Sequence, residues 1–327
     1  MISRRNTIAF LALAPAAAWA QPAPGMHRIG VLSAGYNPKA KDHPNFPTFF
    51  AAMRKFGYEE GRNVVYEARN ADGANVRLPQ LARELIAAGV QLVVVTGSSE
   101  ANAMFRATAT LPIVMIHGAD PVEQGFAVSL ARPGRNLTGL IAVTSGFSAK
   151  AFALLTEALP SAKRFSVLGN PSQVTYRDQR AELERVADEK GLTLLPTAEA
   201  RRPEELDTAF ARIAHDKPQA LFVQSDALFF VHRKRIIEFA AQQKLPTMYR
   251  FTEDAEAGGL MAFATFYRDL YGRAPAFVDK ILKGAKPGDI PIEQPTRFGL
   301  WVNLKTARAL GFTFPPTVLA RAERVIE

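Results

Sequence analysis

Short apolar segments alternate with amphipathic helical segments along the chain, and this alternation restricts the possible folds more than any other feature. The first series contains four predicted strands, HRIGVLS (27–33), NVVYEAR (63–69), QLVVVT (91–96) and PIVMIH (112–117), with helical patterns between them. Consecutive parallel strands need a crossover helix, and a strand that is apolar throughout is typical of a sheet buried on both faces. The series therefore predicts a parallel sheet covered by helices on both sides.

A second series of the same kind follows a loop rich in proline and glycine at 120–136. Its predicted strands lie at 164–169, 192–195, 220–224 and 247–251. A chain of 327 residues exceeds the size that one hydrophobic core usually supports, about 250–300 residues. Two series of similar length therefore predict an α/β fold with two doubly wound parallel-sheet lobes. The last segment, 259–327, contains predicted strands at 260–265 and 298–302 but is too short for a third domain, and we expect it to contribute elements to both lobes.

The first twenty residues have the composition of a signal peptide. The pair Arg4-Arg5 precedes an apolar run at 8–14, and Ala18-Trp19-Ala20 supplies the small residues of a cleavage site. The apolar run is well below the length of about 20 residues that crosses a membrane. We expect cleavage after Ala20 and a periplasmic mature protein, and the arginine pair leaves Sec and twin-arginine export both open.

Composition and charge exclude several classes of protein. The sequence has no cysteine, so it can hold neither a disulfide framework nor a lipid-modified cysteine. Its net charge of +9 is spread along the chain, and the densest basic cluster, His232-Arg233-Lys234-Arg235, begins a predicted helix. A nucleic-acid site needs a basic stripe with interleaved aromatic residues. We therefore interpret this cluster as a solvated face and expect no nucleic-acid partner.

Motifs for catalysis and cofactor binding are absent from the sequence. The five histidines lack metal-ligand spacing, and there is no cysteine to complete a zinc site. No GxSxG, GxxxxGK[ST] or GxGxxG motif follows a predicted strand. We interpret His117, at a strand end, as a packed residue rather than a general base. We therefore predict no catalytic residues, no metal and no cofactor.

Candidate binding residues are those at the carboxyl ends of the predicted strands, because ligands of open parallel sheets bind there. The loop Thr96-Gly97-Ser98-Ser99 follows the VVV run and opens a predicted helix. Its small residues let backbone N–H groups approach a ligand, and a helix N-terminus favours an anion. The loop predicts a carboxylate-binding site, with simple capping of the helix by Ser99 as the alternative.

Other candidate residues follow the remaining strands. They are Ser33 and Tyr36 after the first strand, Asp120 after the fourth, and Asn170, Asp226, Arg250 and Glu253 in the second series. The acidic residues among them are candidates to accept a ligand ammonium group, and Asp226 is the one that we favour. For Asp120, which precedes a proline, a turn is the stronger interpretation.

Motifs throughout the chain resemble those of one protein family. They are GYEEGRNVVYEARNADG (57–73), RLPQLARELIAAGVQLVVVTG (77–97), LPIVMIHGADPVEQGFAVSLARPGRNLTGL (111–140), EAGGLMAFATF (256–266) and ILKGAKPGDIPIEQPTRFGLWVNLKTARALG (281–311). The family is that of ABC transporter substrate-binding proteins, which includes tryptophan- and tyrosine-binding members. The resemblance covers essentially the whole chain, and ARPGRNLTG and NLKTARALG are its most specific segments.

The resemblance implies the type I periplasmic binding protein fold, in which two lobes joined by three crossing segments close on a ligand like a hinge. We expect the crossings within 120–140, 253–260 and 292–297. The first lobe is then expected at 26–138 plus 261–293 and the second at 139–260 plus 294–327, with the ligand cleft between the lobes.

The resemblance also implies which strand ends contact the ligand. Thr96-Gly97-Ser98-Ser99 is expected to hold a ligand carboxylate with help from Ser33, and Asn170 and Asp226 to contribute from the second lobe. The sequence departs from the family pattern in that loop, where many relatives have a Gly-Thr-Pro-like run, and at Arg250, where many have an acidic or aromatic residue. A basic residue facing the cleft suits a dicarboxylate, so an amino acid and a more acidic ligand both stay open.

These observations together predict a periplasmic solute-binding protein of an ABC importer. We expect a monomer that binds a small carboxylate-bearing ligand between two closing lobes and delivers it to an ABC permease in the inner membrane. An amino acid, aromatic ones included, is the expected ligand. Two other classes stay open: an exported α/β enzyme acting on a small acid, and a ligand-sensing partner of a membrane receptor.

Overall fold

Two β-sheets with helices packed on both faces make up the part of the chain that the structure describes. The structure, a computed structural model, describes residues 25–41, 43–142, 144–294 and 297–327. The predicted signal peptide at 1–20 lies outside these residues. Within them, the helices lack the combination of length and apolar character that crossing a membrane requires.

The first sheet contains β1 (His27–Ser33), β2 (Val64–Asn70), β3 (Leu92–Val95), β4 (Ile113–Met115) and β5 (Leu137–Gly139). These strands are parallel and lie in the order β2-β1-β3-β4-β5. Helices α1 (Phe46–Lys55), α2 (Leu78–Ala87) and α3 (Ser98–Ala107), with a 3-10 turn at Asn75–Arg77, connect β1 to β4. We call this sheet, with the helices packed on it, the first lobe.

The second sheet contains β6 (Arg164–Gly169), β7 (Thr193–Leu194), β8 (Ala198–Glu199), β9 (Ala220–Val223), β10 (Thr247–Tyr249), β11 (Met261–Thr265), β12 (Phe298–Asn303) and β13 (Ala322–Ile326). Their order is β13-β12-β11-β10-β9-β6-β7, with β8 also paired to β6, and β11 and β12 are antiparallel. We call this sheet, with its helices, the second lobe.

Helices cover both faces of each sheet. The second lobe holds α4 (Phe147–Ala158), α5 (Tyr176–Glu189), a 3-10 turn at Pro203–Glu205, α6 (Leu206–Asp216), α7 (Ala227–Val231), α8 (Arg233–Gln242), α9 (Thr252–Glu256), α12 (Leu304–Ala309) and α13 (Pro316–Leu319). Helices α10 (Tyr267–Arg273) and α11 (Pro275–Leu282), with a 3-10 turn at Pro287–Asp289, pack on the first lobe. The segment 259–327 thus contributes elements to both lobes.

Side chains alternate across each strand, so each sheet has a hydrophobic core on each face. In β3, Val94 packs with α1, α10 and α11, while Val93 packs with α2 and α3 on the opposite face. In β9, Phe222 packs with α4 and α5, while Leu221 packs with α6 and α8. Burial on both faces explains why central strands such as β3 and β9 are apolar throughout.

The first two crossings between the sheets lie later in the chain than predicted, whereas the third lies between Glu293, which is paired with Leu140 beside the first sheet, and Phe298, the first residue of β12. The chain leaves the first sheet after β5 and joins the second lobe at the start of α4, so the first crossing follows Gly139 rather than lying within 120–140. The expected second crossing at 253–260 is instead α9 and the turn into β11. That strand pairs with β10 and β12, so 261–265 belongs to the second lobe and the chain leaves it at Phe266.

Hydrogen bonds tie the crossing segments together. The Ile141 N–H donates to the carbonyl of Glu293 at 3.0 Å, and the Glu293 N–H donates to the carbonyl of Gly139 at 2.9 Å. Thr265 Oγ1 donates to the carbonyl of Ala142. The three crossings therefore lie side by side, an arrangement that suits rotation of the lobes about one hinge.

Candidate ligand-binding cleft

A cavity of about 150 Å³ lies between the two lobes, at the carboxyl ends of their strands. Loops after β1, β3 and β4 and helix α10 line it from the first lobe, and loops after β6, β9 and β10 line it from the second. Strand order reverses between β1 and β3 in one sheet and between β6 and β9 in the other. Ligands of doubly wound sheets bind at such points. A ligand in this cavity would contact both lobes.

The loop after β3 contributes three of its four predicted residues to the cavity. Thr96, Gly97 and Ser98 line it, whereas Ser99 does not. Ser99 Oγ donates to Oε1 of Gln173 in the second lobe. The N-cap of α3 is Gly97, without a side-chain capping bond. Ser99 therefore neither lines the cavity nor caps the helix; its hydroxyl instead forms a hydrogen bond across the cleft.

Glu100, which the sequence did not single out, takes the position expected for a ligand anion. It lies in the first turn of α3 and is 4% exposed. Its Oε1 accepts the hydroxyl of Thr96 and, at 2.7 Å, the N–H of Ala34. Burial raises the pKa of Glu100, and these hydrogen bonds oppose the rise. The carboxyl group thus supplies the acceptor at the helix N-terminus that a bound carboxylate was expected to supply.

Asp226, at the end of β9, is the buried carboxylate of the second-lobe wall. It accepts hydrogen bonds from Asn170 Nδ2 and the Leu228 N–H, both at 2.9 Å, and from Asn75 Nδ2 of the first lobe at 3.3 Å. Burial raises the pKa of Asp226 to about 6, these hydrogen bonds oppose the rise, and the Glu100 carboxyl adds to it. A buried carboxylate of this kind favours a cationic partner.

Two predicted ligand contacts lie away from the cavity wall. Asn170 is buried behind Asp226, and its amide orients the Asp226 carboxylate. Glu253 accepts a hydrogen bond from Asn45 Nδ2 of the first lobe at 3.3 Å. Neither residue lines the cavity. We therefore assign both to supporting positions, which a sequence pattern cannot distinguish from direct contacts.

Three further predicted residues do line the cavity. Ser33 is buried at the end of β1. Tyr36 reaches across the cleft, where its hydroxyl accepts a hydrogen bond from Arg233 at 2.9 Å. Asp120 lines the wall, but its Oδ1 also accepts the N–H of Val122 at 2.8 Å, which is the turn that the following proline indicated.

Arg250, after β10, lines the cavity and is 2% exposed. Its guanidinium Cζ lies 4.7 Å from the ring centroid of Phe147 and 5.6 Å from that of Phe222. NH1 is 3.5 Å from Ser148 Oγ, and Nε is buried without an acceptor. Burial lowers the pKa of Arg250 to about 10, so the group is still charged at neutral pH.

Six aromatic rings form a continuous wall of the cavity, which we call the aromatic wall. Adjacent ring centroids are separated by 5.7 Å (Tyr36–Phe230), 4.6 Å (Phe230–Phe251), 5.4 Å (Phe251–Tyr267), 4.8 Å (Tyr267–His117) and 5.9 Å (His117–Tyr271). Of these residues, only Tyr36 was predicted from the sequence as a ligand contact. Phe251 and Tyr267 follow the ends of β10 and β11, so reading every strand end for aromatic as well as polar residues would have found them.

His117 packs within this wall, as the sequence predicted. Burial lowers the pKa of His117 to about 3, and His43 adds to the effect. A neutral imidazole of such low basicity is a poor general base at neutral pH. Within the described residues, no cluster of His, Cys, Asp or Glu is placed to hold a metal ion.

Acidic side chains outnumber basic ones on the described cavity wall. Arg250 is its one lysine or arginine, against Glu100, Asp120, Glu123, Asp178, Glu182 and Asp226. The Glu182 carboxylate accepts the N–H groups of Gly146 and Ser148, both at 2.8 Å, at the start of α4. Burial and neighbouring carboxylates raise the pKa of Glu123. The wall as a whole favours a ligand that carries a positive charge.

Comparisons with known proteins agree with this architecture. The family model of ABC transporter substrate binding proteins matches residues 47–326. A tyrosine-binding protein of Clostridioides difficile (strain R20291) is 25% identical over 275 residues, which cover 82% of this chain and 78% of that protein. A conserved domain protein of Vibrio cholerae O1 biovar eltor has a TM-score of 0.81 at 25% identity, covering 92% of this chain and 99% of that one. The ABC domain of Streptococcus pneumoniae in complex with L-Trp has a TM-score of 0.79 at 25% identity, covering 92% and 100%.

The two lobes and the cleft between them define the class of two-lobed solute-binding proteins, with the type I periplasmic binding protein fold that the sequence predicted. The family match spans most of the chain, so the chain belongs to the ABC transporter substrate-binding protein family. The predicted family and fold are thus confirmed. The relatives compared above include amino-acid-binding proteins.

Proposed function

We propose that this chain is the periplasmic solute-binding protein of an ABC importer and that its ligand is an aromatic α-amino acid. One observation carries the proposal: a buried carboxylate, a buried guanidinium and the aromatic wall line the same cavity between the lobes. An α-amino acid with an aromatic side chain presents the complementary groups. The tyrosine-binding and L-Trp-bound relatives support the same ligand class.

The ligand ammonium group is assigned to Asp226. This carboxylate is buried and faces the cavity, and Glu100 lies close enough to raise its pKa. An ammonium group beside the two carboxyl groups would neutralise the charge that burial makes unfavourable. Asn75 and Asn170 already hold the Asp226 carboxylate in a fixed orientation. The site is therefore preorganised for a cation.

The ligand side chain is assigned to the aromatic wall. Aromatic rings prefer offset or edge-to-face contacts at centroid distances of about 4.5–7 Å, and the wall residues already contact one another in this range. Thr96, Gly97, Ser98, Ser33 and Asp120 are the remaining predicted residues at the cavity and stay proposed ligand contacts.

Binding is coupled to closure of the lobes, and the closed form then delivers the ligand to a permease. Hydrogen bonds already cross the cleft from Ser99 to Gln173 and from Asn75 to Asp226. A ligand that contacts both lobes stabilises the closed form, because only that form satisfies all its contacts. We propose a monomer without catalytic activity. The low basicity of His117 favours this role over that of an exported enzyme.

Identification of the bound ligand tests the function. Purified protein is denatured, and the released small molecules are identified by mass spectrometry. Calorimetric titration with L-tryptophan, L-tyrosine and L-phenylalanine follows, with L-alanine as the control that lacks an aromatic ring. We expect at least one aromatic amino acid to bind and L-alanine to bind far more weakly. Turnover of the captured ligand, or failure of all amino acids to bind, would contradict the proposal.

Amino-acid binding is expected to weaken as the pH falls through about 6. Burial raises the pKa of Asp226 to about 6, so its carboxylate becomes protonated below that pH while the ligand ammonium stays charged. Between pH 7 and pH 5 the ionised fraction, and with it the affinity, should fall about tenfold. The control variant is Asp226→Asn, which keeps Glu100, Asn75 and Asn170 around the site, and in which the pH dependence of the affinity should be much smaller than in wild type. Affinity that is constant over the range would contradict the assignment.

Export is expected to remove the first twenty residues. Ala18-Trp19-Ala20 supplies small residues at the positions that a signal peptidase requires. Amino-terminal sequencing of protein from the periplasmic fraction should therefore begin at Gln21. Replacing Ala20 by a bulky residue such as arginine should block this cleavage, and an intact Met1 in soluble wild-type protein would exclude it.

A further inference from the structure

Arg250 is a buried cation to which the described protein offers no ion-pair partner. Its guanidinium donates a long hydrogen bond from NH1 to Ser148 Oγ at 3.5 Å, its Nε has no acceptor, and the Tyr267 hydroxyl is a further neutral neighbour. In the described part of the chain, no carboxylate lies within ion-pair distance of it; Glu182, which acts on it only at longer range, accepts backbone N–H groups instead. A buried charge without a counter-ion is strongly unfavourable. An anionic ligand group would supply that counter-ion.

Packing holds the Arg250 guanidinium in place at the cavity wall. The rings of Phe147 and Phe222 lie within 4.7 Å and 5.6 Å of Cζ, and such contacts attract a cation. The guanidinium is therefore fixed before a ligand arrives. A planar, fixed guanidinium can donate two parallel hydrogen bonds to a carboxylate, which a mobile surface arginine does less well.

The competing anion site in the first lobe is already used by the protein. The Glu100 carboxyl lies in the first turn of α3 and takes the Thr96 hydroxyl and the Ala34 N–H. A ligand carboxylate beside Gly97 and Ser98 would face this buried acidic group at close range. Two carboxyl groups that share a site repel each other unless one is protonated.

We propose that Arg250 binds the carboxylate of the ligand and thereby makes the protein specific for ligands that carry a carboxylate group. The proposal rests on the proposed function. β9 and β10 are neighbours in the second sheet, with Met248 beside Phe222, so Arg250 and Asp226 follow adjacent strand ends. The second lobe alone then holds both charged groups of an α-amino acid. The first lobe closes over the ligand with the rest of the wall.

The test measures how ligands that lack one charged group bind to wild-type protein and to a variant that lacks the guanidinium. Wild-type protein and Arg250→Gln are titrated by calorimetry with L-tryptophan, tryptamine (no carboxylate) and indole-3-propanoate (no ammonium). The matched control is Arg324→Gln, because the Arg324 guanidinium also lies over an aromatic ring, Trp301, in the second lobe but away from the cavity. We expect Arg250→Gln to lower the affinity for L-tryptophan about a hundredfold and to leave that for tryptamine unchanged.

Three results of these titrations would overturn the proposal. If Arg250→Gln weakens L-tryptophan and tryptamine by the same factor, Arg250 supports the fold of the site and does not read the carboxylate. If Arg250→Gln binds L-tryptophan normally while Ser98→Ala does not, the carboxylate binds at the α3 N-terminus instead. Loss of affinity in Arg324→Gln would mean that the substitutions act through general damage.

Thermal unfolding of the ligand-free proteins separates a binding role from a structural one. A guanidinium kept for a ligand is unfavourable in the free protein, so Arg250→Gln should unfold at the same temperature as wild type or higher. A fall of several degrees, larger than in Arg324→Gln, would assign Arg250 to packing and overturn the proposal.

Failure of the proposed function can be recognised separately. If none of L-tryptophan, L-tyrosine and L-phenylalanine binds to wild-type protein, the aromatic amino-acid assignment fails, and thermal shifts with L-glutamate, succinate and benzoate test Arg250 directly. The proposal then requires that at least one carboxylate stabilises wild-type protein and not Arg250→Gln. If none does, the proposal is wrong as well.

Discussion

Replacing Asp226 by asparagine is expected to weaken the binding of L-tryptophan or L-tyrosine by about a hundredfold or more. The substitution removes the carboxylate charge that we assign to the ligand ammonium and leaves only the Glu100 carboxyl group near that ammonium. Asparagine keeps one oxygen for the Leu228 N–H, so the start of α7 should be preserved. The loss should therefore appear in affinity and not in the far-ultraviolet circular dichroism of the protein.

The matched control for this variant is Asp178→Asn. Asp178 lines the same cavity but is exposed, so its charge is screened by water. We expect its replacement to change the affinity less than threefold, within the range of surface charges. Ligands without the ammonium group, such as indole-3-propanoate, should bind Asp226→Asn at least as well as wild type. If Asp226→Asn and Asp178→Asn lower the affinity by the same factor, binding depends on the net charge of the cleft and not on a specific ion pair between Asp226 and the ligand ammonium.

The fold could be predicted from the sequence because its signals are local. Most buried strands are short apolar runs, and several connecting helices end near a glycine such as Gly57, Gly89 or Gly191. Doubly wound sheets follow from this alternation, and the resemblance supplied the two-lobed arrangement. Three strands were not predicted, β5, β8 and β13, and the first two are only two or three residues long. A run of that length carries too little pattern to be recognised.

The lobe boundary at β11 could not be predicted for a different reason. Met261–Thr265 is an apolar strand that either sheet could accept. Its assignment depends on pairing with β10 and β12, which are separated from it in the chain and chosen by packing. Sequence pattern indicates that a strand exists and leaves open which neighbour it takes.

In the candidate site, too, positions along the chain could be predicted from the sequence, whereas contacts between distant segments could not. The strand-end rule found Asp226 and Arg250 because it uses only position along the chain. It could not show that Ser99 is paired with Gln173, or that Asn170 lies behind Asp226, because those partners come from other loops. Glu100 stood next to the predicted loop and was missed because its carboxyl group turns back onto Thr96 and Ala34.

Replacing Gly139 by alanine is expected to prevent stable folding, with a loss of about 4 kcal/mol or more in the free energy of unfolding. Gly139 has a φ of +129°, which residues with a Cβ rarely adopt. A Cβ at this position would lie 2.1 Å from the carbonyl oxygen of Met115 and 2.7 Å from its nitrogen. These are backbone atoms of the paired strand β4, so they cannot move aside as a flexible side chain could.

The control separates this clash from the cost of the backbone conformation alone. Gly284 also has a positive φ, +98°, but a Cβ there would meet no atom within 4 Å. Gly284→Ala should therefore lower the free energy of unfolding by only about 1–2 kcal/mol, which is the strain of the backbone conformation itself. Urea unfolding of both variants measures the difference, and equal losses would show that β4 can shift to accept a side chain. Because Gly139 ends β5 and its carbonyl accepts the N–H of Glu293, a folded Gly139→Ala should also disturb the contact between crossing segments. Gly139, the second glycine of the ARPGRNLTG segment, is thus required by the close approach of two backbones at the hinge between the lobes.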